Sequence, residues 1–358
     1  MARFCAWGVC EGGSGGGALK RLVVRLPNWV GDVVMAEPAV SALREAFPHA
    51  RIVGLAKPYL LGLAELVGCD LLEPSVGLLG DTLTYLVVRA DCAVLFPNSI
   101  SSALPPFLAS VPQRVGYATF GRRVLLTEPL AYPRDGKRRR PTPMPLYYLR
   151  LVQRLGAKPI RYHPRLTVTN TAAQAVNAYL TSRGFGSVPL VAFNPGASYG
   201  PSKLWLTENF ARLADIIVER LGYGVVLLCG PNERHLADDI FRQVRNKRSI
   251  LNTSSCVVDL AHLPALLARC DALVTTDTGP RHIALAVGTP TVTLMGPNDP
   301  RYTAYKTPTP QVVIRRYELD CIGCQKKVCP RGDNECMRRI SPEQVFDALR
   351  RLQRAKQQ

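Results

Sequence analysis

The sequence predicts an α/β protein made of two doubly wound domains that face each other across a cleft. The chain has 358 residues, more than a single hydrophobic core usually organises, so two domains of ordinary size are expected. Short runs rich in Val and Leu alternate with amphipathic stretches in both halves, as in successive βαβ units. Continuously apolar strands indicate parallel sheets that helices cover on both faces.

The first half of the chain begins this alternation directly after a glycine-rich segment. The predicted elements are strands at residues 22–26, 51–55 and 92–96 and a helix at about 33–47. The pattern breaks at 133–145, a stretch rich in proline and arginine that we interpret as a solvated basic loop. We therefore place a flexible extension at 1–20 and the first domain at 21–160.

The second half repeats the pattern. The predicted elements are strands at 190–194, 225–229, 272–275 and 291–294 and helices at 210–220, 233–244 and 263–269. The second domain is placed at 161–340 and a C-terminal helix at 341–358, with Ser341 as its N-cap. In doubly wound folds, ligands bind at the carboxyl ends of the strands, so the site is expected in the cleft between the domains.

The charge of the chain favours anionic partners. Its formal net charge is +18, which concentrates polyanions near the surface, but no nucleic-acid-binding motif accompanies the charge. No apolar run approaches the length of a membrane-spanning helix, and the start of the chain lacks the apolar core of a secretory signal. We expect a cytoplasmic protein with no nucleic-acid partner, in contact with the inner face of the membrane through charge.

A polar turn after the strand at 272–275 is the most informative motif. The strand runs into Asp277, Thr278 and Gly279, and a helix starts near Pro280, a residue tolerated best at the first helical position. The free N–H groups and the positive end of this helix would then face the cleft. This pattern predicts an anion site, although an ordinary N-cap by Thr278 or Asp277 explains the residues equally well.

Two further loops follow strands in the same way. The loop after 190–194 carries Lys203, which could reach a phosphate, but it lacks the spacing of a nucleotide-hydrolase phosphate loop. The loop after the first strand leads into Asp32, at the start of a helix. Asp32 is either a residue that favours the helix N-terminus or a general base facing the cleft.

Taken in order, these three segments resemble glycosyltransferase family 9, the ADP-heptose:lipopolysaccharide heptosyltransferases, and most closely its heptosyltransferase II branch. Two more segments, at 229–233 and 296–300, and a late cysteine segment belong to the same resemblance, which covers residues 22–349. Five collinear motifs are specific where one would be weak.

The resemblance implies a GT-B fold and the transfer of heptose from ADP-heptose to the inner core of lipopolysaccharide, with inversion and without a cofactor for catalysis. The implied partners are ADP-heptose and a lipid A-core acceptor at the inner membrane. Asp32 would be the base, and Lys203 would stabilise the leaving group. The implied donor-binding residues are Ser198, Lys203, Glu233, Asp277, Thr278, Gly279 and His282, and the implied acceptor-binding residues are Asn28, Trp29 and Gly31.

The chain departs from the family pattern before the strand at 272–275. Where the family has a Gly-x-Thr-Ser-Leu stretch, this chain reads Asp259-Leu-Ala-His262-Leu-Pro264. The adenosine contacts are therefore not assigned, and His262 is left out of the predicted site.

The late cysteine segment, at 321–336, has the spacing of a small metal knuckle. Its four cysteines are Cys321, Cys324, Cys329 and Cys336. Four thiolates at short range would satisfy tetrahedral zinc, whereas free thiols or a disulfide in a packed loop explain them without a metal.

Three other functions stay open at this stage. As a member of this family, the protein could use another nucleotide sugar or a non-lipid acceptor, or it could bind a sugar nucleotide without catalysis. The presence of both Asp32 and Lys203 argues against a binding protein, which has no need of a base.

Overall fold

The computed structural model describes residues 19–136 and 138–357. Most of the predicted extension at 1–20 lies outside the described residues. Within them, the chain forms two six-stranded parallel sheets and one short antiparallel pair. The predicted α/β class with two doubly wound units is confirmed.

The first sheet has the strand order β3-β2-β1-β4-β5-β6. Its strands are β1 (Arg21–Arg25), β2 (Arg51–Ala56), β3 (Leu71–Pro74), β4 (Cys92–Leu95), β5 (Gln113–Tyr117) and β6 (Glu128–Leu130). The helices of this half are α1 (Val30–Ala46), α2 (Leu61–Ala64), α3 (Leu78–Val88), α4 (Ile100–Leu108) and α5 (Met144–Gln153). Inside the predicted basic loop at 133–145, the chain pairs β7 (Arg134–Asp135) with β8 (Arg138–Arg139).

The second sheet repeats this order as β11-β10-β9-β12-β13-β14. Its strands are β9 (Leu190–Asn194), β10 (Gly224–Leu227), β11 (Ile250–Asn252), β12 (Ala272–Thr276), β13 (Thr291–Leu294) and β14 (Gln311–Ile314). Its helices are α6 (Asn170–Ser182), α7 (Thr207–Leu221), α8 (Arg234–Gln243), α9 (Leu263–Arg269), α10 (Gly279–Val287), α11 (Pro300–Thr303), α12 (Glu335–Arg338) and α13 (Pro342–Gln357).

The central strands are buried on both faces, as their sequences predict. Every residue of β9 and of β12 is buried, because α7 and α13 pack on one side of the sheet and α9 and α10 on the other. Their apolar side chains are removed from water on folding, which stabilises the fold by about 25 cal/mol per Å² of apolar surface buried. Buried strands also fix the register, since a one-residue slip would exchange the two faces.

The start of α13 shows the predicted cap. The Ser341 hydroxyl accepts a hydrogen bond from the Gln344 N–H at 3.2 Å, and the Gln344 side chain accepts one from the Ser341 N–H at 3.1 Å. This reciprocal pair is a capping box. It fixes the start of the helix that covers the second sheet.

The two halves meet where the N-termini of α1 and α10 touch. A Cβ added at Gly279 would lie 2.6 Å from Cγ1 of Val30, and one added at Gly31 would lie 2.9 Å from Cδ2 of His282. Only glycine allows two helix ends to approach so closely. The contact brings the loops after β1 and β12 together at the mouth of the cleft.

Candidate functional site

A cleft of about 760 Å³ lies between the carboxyl edges of the two sheets. All but one of the sequence-predicted site residues line it. They are Trp29, Gly31, Asp32, Ser198, Lys203, Glu233, Asp277, Thr278, Gly279 and His282. The cleft is therefore built from the loops that follow β1, β9, β10 and β12, as the topology requires.

Asn28 is the predicted residue that does not line the cleft. It is exposed, and its side-chain oxygen accepts a hydrogen bond from the Arg25 guanidinium at 3.0 Å. This bond holds the Asn28 side chain against the end of β1. Trp29, the next residue, is 54% exposed on the cleft wall.

Asp32 lies in the first turn of α1 and faces the cleft. Within the described residues, no hydrogen bond holds its carboxylate, and no side chain caps α1. Burial raises the pKa of Asp32 to about 6, the nearby Asp277 carboxylate adds to the rise, and Lys203 opposes it. An unengaged carboxylate with a pKa near neutrality suits a general base and gives the capping interpretation no support.

Lys203 ends a short turn after β9 and is buried to 7% exposure. Its ammonium donates a hydrogen bond to the Asp277 carbonyl at 2.8 Å and lies 4.7 Å from the centroid of the Tyr199 ring. Burial lowers the pKa of Lys203, while Asp277 and Asp32 oppose that change. No carboxylate of the described residues forms an ion pair with it, so a buried cation is left for an anionic ligand.

The Lys203 turn is held from behind by the cysteine segment. The Ser202 hydroxyl donates a hydrogen bond to the Lys326 carbonyl at 2.6 Å, and the Ser202 N–H donates one to the Lys327 carbonyl at 3.1 Å. Ser202 is buried, so water does not compete for these bonds. The segment at 321–336 therefore positions Lys203 through its main chain.

Asp277 forms a fully buried ion pair with Arg281 at 2.6 Å. It also accepts hydrogen bonds from Thr303 at 3.1 Å and from Asn298. Burial alone would raise the pKa of Asp277, but the Arg281 charge and these hydrogen bonds hold it down to about 2. Asp277 thus stays ionised at every physiological pH and anchors the turn rather than exchanging protons.

The N-terminus of α10 opens into the cleft without a side-chain cap. The Thr278 side chain accepts a hydrogen bond from the Asn194 amide at 3.0 Å instead of capping the helix. Thr278, Gly279 and Pro280 line the cleft. Pro280 has no N–H, and the Arg281 N–H donates a hydrogen bond to the Thr278 carbonyl at 3.2 Å. The Gly279 N–H and the dipole of this helix of nine residues therefore favour an anion at this position.

His282 is buried beside this helix end and is neutral. Burial and the Arg281 charge lower its pKa to about 3, and Asp277 opposes them only in part. Its Nδ1 lies 3.1 Å from the Tyr305 hydroxyl, and the two rings stack with centroids 5.7 Å apart. His282 therefore fills the space below Gly31 and presents a neutral edge to the cleft.

Glu233 closes the far side of the cleft, after β10. Its carboxylate accepts a hydrogen bond from the Gly230 N–H at 3.3 Å and lies against Gly196, where an added Cβ would come within 2.0 Å of the carboxylate. Ser198 is exposed on the same wall. Glu233 and Ser198 therefore line the same cleft as Lys203.

Several cleft residues have no counterpart in the sequence-based prediction. They are Tyr59, Tyr199, Val257, Val258, Leu260, Leu263, Asn298 and Thr303. The four aliphatic residues form an apolar wall in the stretch where the family motif is missing. The spacing of Asp277 and Arg281, one helical turn apart, was the one signal available for that buried pair.

The four cysteines at 321–336 are free thiols. In the described part of the chain, no group of three His, Cys, Asp or Glu side chains is placed to hold a metal ion. Burial and the neighbouring thiols of Cys321, Cys329 and Cys324 raise the pKa of Cys336 to about 11. Each of the four thiols is partly buried in this loop.

Two facing doubly wound domains with a cleft between their carboxyl edges form the GT-B architecture. The solved structure of the E. coli ADP-heptose lipopolysaccharide heptosyltransferase II superposes with a TM-score of 0.78. It is 25% identical, and the match covers 95% of this chain and 100% of that one.

The chain belongs to glycosyltransferase family 9 (heptosyltransferase), whose model matches residues 86–334. It is 27% identical over 350 residues to lipooligosaccharide heptosyltransferase 2 of Haemophilus influenzae, covering 91% of this chain and 97% of that protein. It is 28% identical over 358 residues to lipopolysaccharide heptosyltransferase 2 of E. coli K12, covering 93% and 98%. The sequence-based recognition of this family is confirmed.

No helix in the described ranges combines the length and the apolar character needed to cross a membrane.

Proposed function

We propose that this enzyme transfers a heptose from ADP-heptose to the inner core of a lipopolysaccharide acceptor, by a single inverting displacement. The observation that carries the proposal is the convergence of Asp32, Lys203 and the uncapped start of α10 on one cleft. A base and a diphosphate site on opposite domains match a reaction between two bound substrates. The names of the relatives, heptosyltransferases acting on lipopolysaccharide or lipooligosaccharide, support the substrates.

The donor would lie along the second domain. Its diphosphate would bind Lys203 and the Gly279 N–H, which are preorganised for negative charge. The adenine would pack on the apolar wall that contains Val258 and Leu260, and Glu233 would accept hydrogen bonds from sugar or ribose hydroxyls. ADP-heptose as the donor is supported by the description of the E. coli structure.

The reaction needs one proton transfer. An acceptor hydroxyl oxygen attacks the anomeric carbon of the heptose, the bond from that carbon to the diphosphate oxygen breaks, and ADP leaves with the electron pair. Asp32 takes the hydroxyl proton as the new bond forms. Lys203 and α10 stabilise the charge that develops on ADP.

Asp32 is the carboxylate best suited to this step. Its pKa of about 6 leaves it ionised at neutral pH yet basic enough to accept a proton in the transition state. Asp277 is too acidic for the role, since Arg281 stabilises its charge, and the neutral His282 has a pKa of about 3. A protein that only binds the sugar nucleotide would have no use for a buried carboxylate of raised pKa.

The experiment is an assay with ADP-heptose and heptose-deficient lipopolysaccharide, read by the mass of the product. Asp32→Asn should bind ADP-heptose with near-normal affinity in calorimetry and lose about 10² to 10⁴ in kcat. Lys203→Met should weaken donor binding as well. Asp347→Asn, on the exposed side of α13, is the matched control. No product from the wild type, or near-normal turnover by Asp32→Asn, would contradict the proposal.

A further inference from the structure

The outer face of the first domain carries a concentration of exposed apolar side chains. More than half of the exposed large hydrophobic residues among those described come from this one region. They are Leu71, Val76, Leu78, Leu79, Leu83, Leu86, Val87, Ile100, Phe107, Leu108, Phe120 and Val124. Isolated exposed apolar residues are ordinary, but a contiguous group marks an interaction surface.

Helix α3 contributes most of this surface, which we call the α3–α4 face. The helix is mainly apolar, with Asp81 as its one charged residue, yet Leu79 is 79% exposed and Val87 is 81% exposed. Its inner side covers the first sheet through Tyr85, which is 1% exposed. The outer side therefore has the composition of a buried surface without a protein neighbour in the described residues.

The α3–α4 face is continuous. Helices α3 and α4 pack against each other, and α4 packs against the turn at 122–125. Phe107 is 41% exposed on α4, and Val124 is 79% exposed on the turn. The apolar side chains of the three segments thus form one surface.

Exposed arginines lie at the end of α3 and in the turn at 122–125, while the exposed Asp70 lies beside Leu71 at the other border. Arg89 ends α3 and Arg123 lies in the adjoining turn, both exposed, and the Arg114 guanidinium lies 5.4 Å from the centroid of the Phe107 ring. The acidic residue of α3, Asp81, is buried and accepts a hydrogen bond from the Ser75 hydroxyl at 2.9 Å. The rim therefore presents positive charge at the end of α3 and beside α4.

We infer that the α3–α4 face docks the enzyme on an anionic lipid bilayer, with the apolar side chains at the level of the acyl boundary and the arginines on the headgroups. Apolar side chains with a cationic border are the signature of surfaces that lie in the membrane interface, and each arginine near an anionic surface adds about 1 kcal/mol. In a two-fold dimer of this face the same cationic rim would come together with itself, so charge favours lipid over a second copy.

The position of the face suits a lipid acceptor. Leu78 and Ile100 begin helices that follow strands of the first sheet, so they lie at the carboxyl edge that borders the cleft. No residue of the α3–α4 face lines the cleft that holds Asp32, so an acceptor anchored in the bilayer would have to extend from this edge into the cleft. This part of the inference rests on the proposed function, whereas the docking surface itself does not.

The test is flotation of the full chain with vesicles of phosphatidylcholine alone and of phosphatidylcholine with about 30% phosphatidylglycerol, without donor or acceptor. The wild type should bind the anionic vesicles, and Leu79→Ser/Val87→Ser should lower the partition coefficient by about tenfold or more. The matched control is Ile160→Ser/Val328→Ser, two exposed apolar residues elsewhere, which should bind as the wild type does. Arg89→Ala/Arg123→Ala should weaken binding to the anionic vesicles only.

Three outcomes would overturn the inference. The first is a wild type that floats with neither vesicle. The second is equal loss in the α3–α4 variant and the control. The third is a dimer by light scattering that the α3–α4 variant converts to monomer without a change in vesicle binding, which would assign the face to a second copy. If the enzyme binds vesicles but transfers no sugar, only the proposed function is contradicted. If it transfers sugar to a detergent-dispersed acceptor but does not bind vesicles, only the docking surface is contradicted.

Discussion

Replacement of Asp32 by asparagine is expected to lower kcat by about 10² to 10⁴ and, at neutral pH, to make the fold more stable. Burial in the cleft, with the charge of Asp277 nearby, raises the pKa of Asp32 from 3.8 to about 6. Above that pH, the Asp32 carboxylate is ionised in both states, and its charge is less favourable in the folded protein than in the unfolded chain. The carboxylate that we propose as the base is therefore a cost to folding, as strained or mismatched groups at active sites often are.

The size of this cost follows from linkage between proton binding and folding. A pKa raised from 3.8 to about 6 corresponds to about 3 kcal/mol of destabilisation at pH 7.5. Asparagine loses the favourable interaction of a carboxylate with the helix dipole, about 0.3–1 kcal/mol, so the net gain should be about 2 kcal/mol. At pH 4, Asp32 is protonated in the folded protein but still about half ionised in the unfolded chain, so the gain should fall to about 0.5 kcal/mol.

The assay is urea unfolding of the wild type and of Asp32→Asn at pH 7.5 and at pH 4, beside kcat at pH 7.5. Asp347→Asn serves as the control because it removes an exposed carboxylate on α13. The reasoning is refuted if Asp32→Asn is no more stable than the wild type at pH 7.5. It is also refuted if the gain has the same size at both pH values, since titration would then not be its cause.

Further outcomes are expected from other contacts. Asp277→Asn should destabilise the fold by about 3–5 kcal/mol at pH 7, because it leaves Arg281 buried without a counter-ion. In the wild type, the pKa of Asp277 is about 2 in the folded protein, so its stabilising contribution is present above about pH 4 and fades as the pH falls toward 2. Thermal melts of the wild type and the variant across this pH range measure the difference. Gly279→Ala should lower kcat/KM by about 10²-fold, since its Cβ would meet Val30 at 2.6 Å and displace the helix end; activity within twofold of the wild type would count against it. Ser202→Ala should raise the Kd for ADP in calorimetry by about threefold to tenfold, because it frees the Lys203 turn from the Lys326 carbonyl, and an unchanged Kd would remove that positioning role.

The sequence made the doubly wound fold and the polar loops of the site predictable for one reason. Central strands such as Leu190–Asn194 are apolar throughout, and each is followed by a loop whose glycines and charged residues have no place in a core. Because parallel strands end at one edge, residues as distant as Asp32 and Lys203 were expected to meet. Edge strands such as Leu71–Pro74 were not predicted, because none of their residues is buried and their apolar pattern is weak.

The rest of the site depends on tertiary contacts that leave no local pattern. The apolar wall at Val257 and Val258 lies in an irregular segment, so neither helical nor strand periodicity marks it. The support of Lys203 by the carbonyls of Lys326 and Lys327 involves main-chain atoms, which carry no residue preference. The family resemblance implies Asn28 as an acceptor-binding residue, but its side chain accepts a hydrogen bond from Arg25 and does not line the cleft.

The contact between Gly31 and Gly279 has a mechanical consequence. It joins the two domains where the start of α1 meets the start of α10, one residue from Asp32 and next to the anion site. A rotation of one domain about this contact would displace distant walls such as the one at Glu233 by several times more than the atoms at the pivot. The cleft could then widen to admit a bulky acceptor while the base and the end of α10 kept their separation, so substrate exchange and catalytic alignment would not compete.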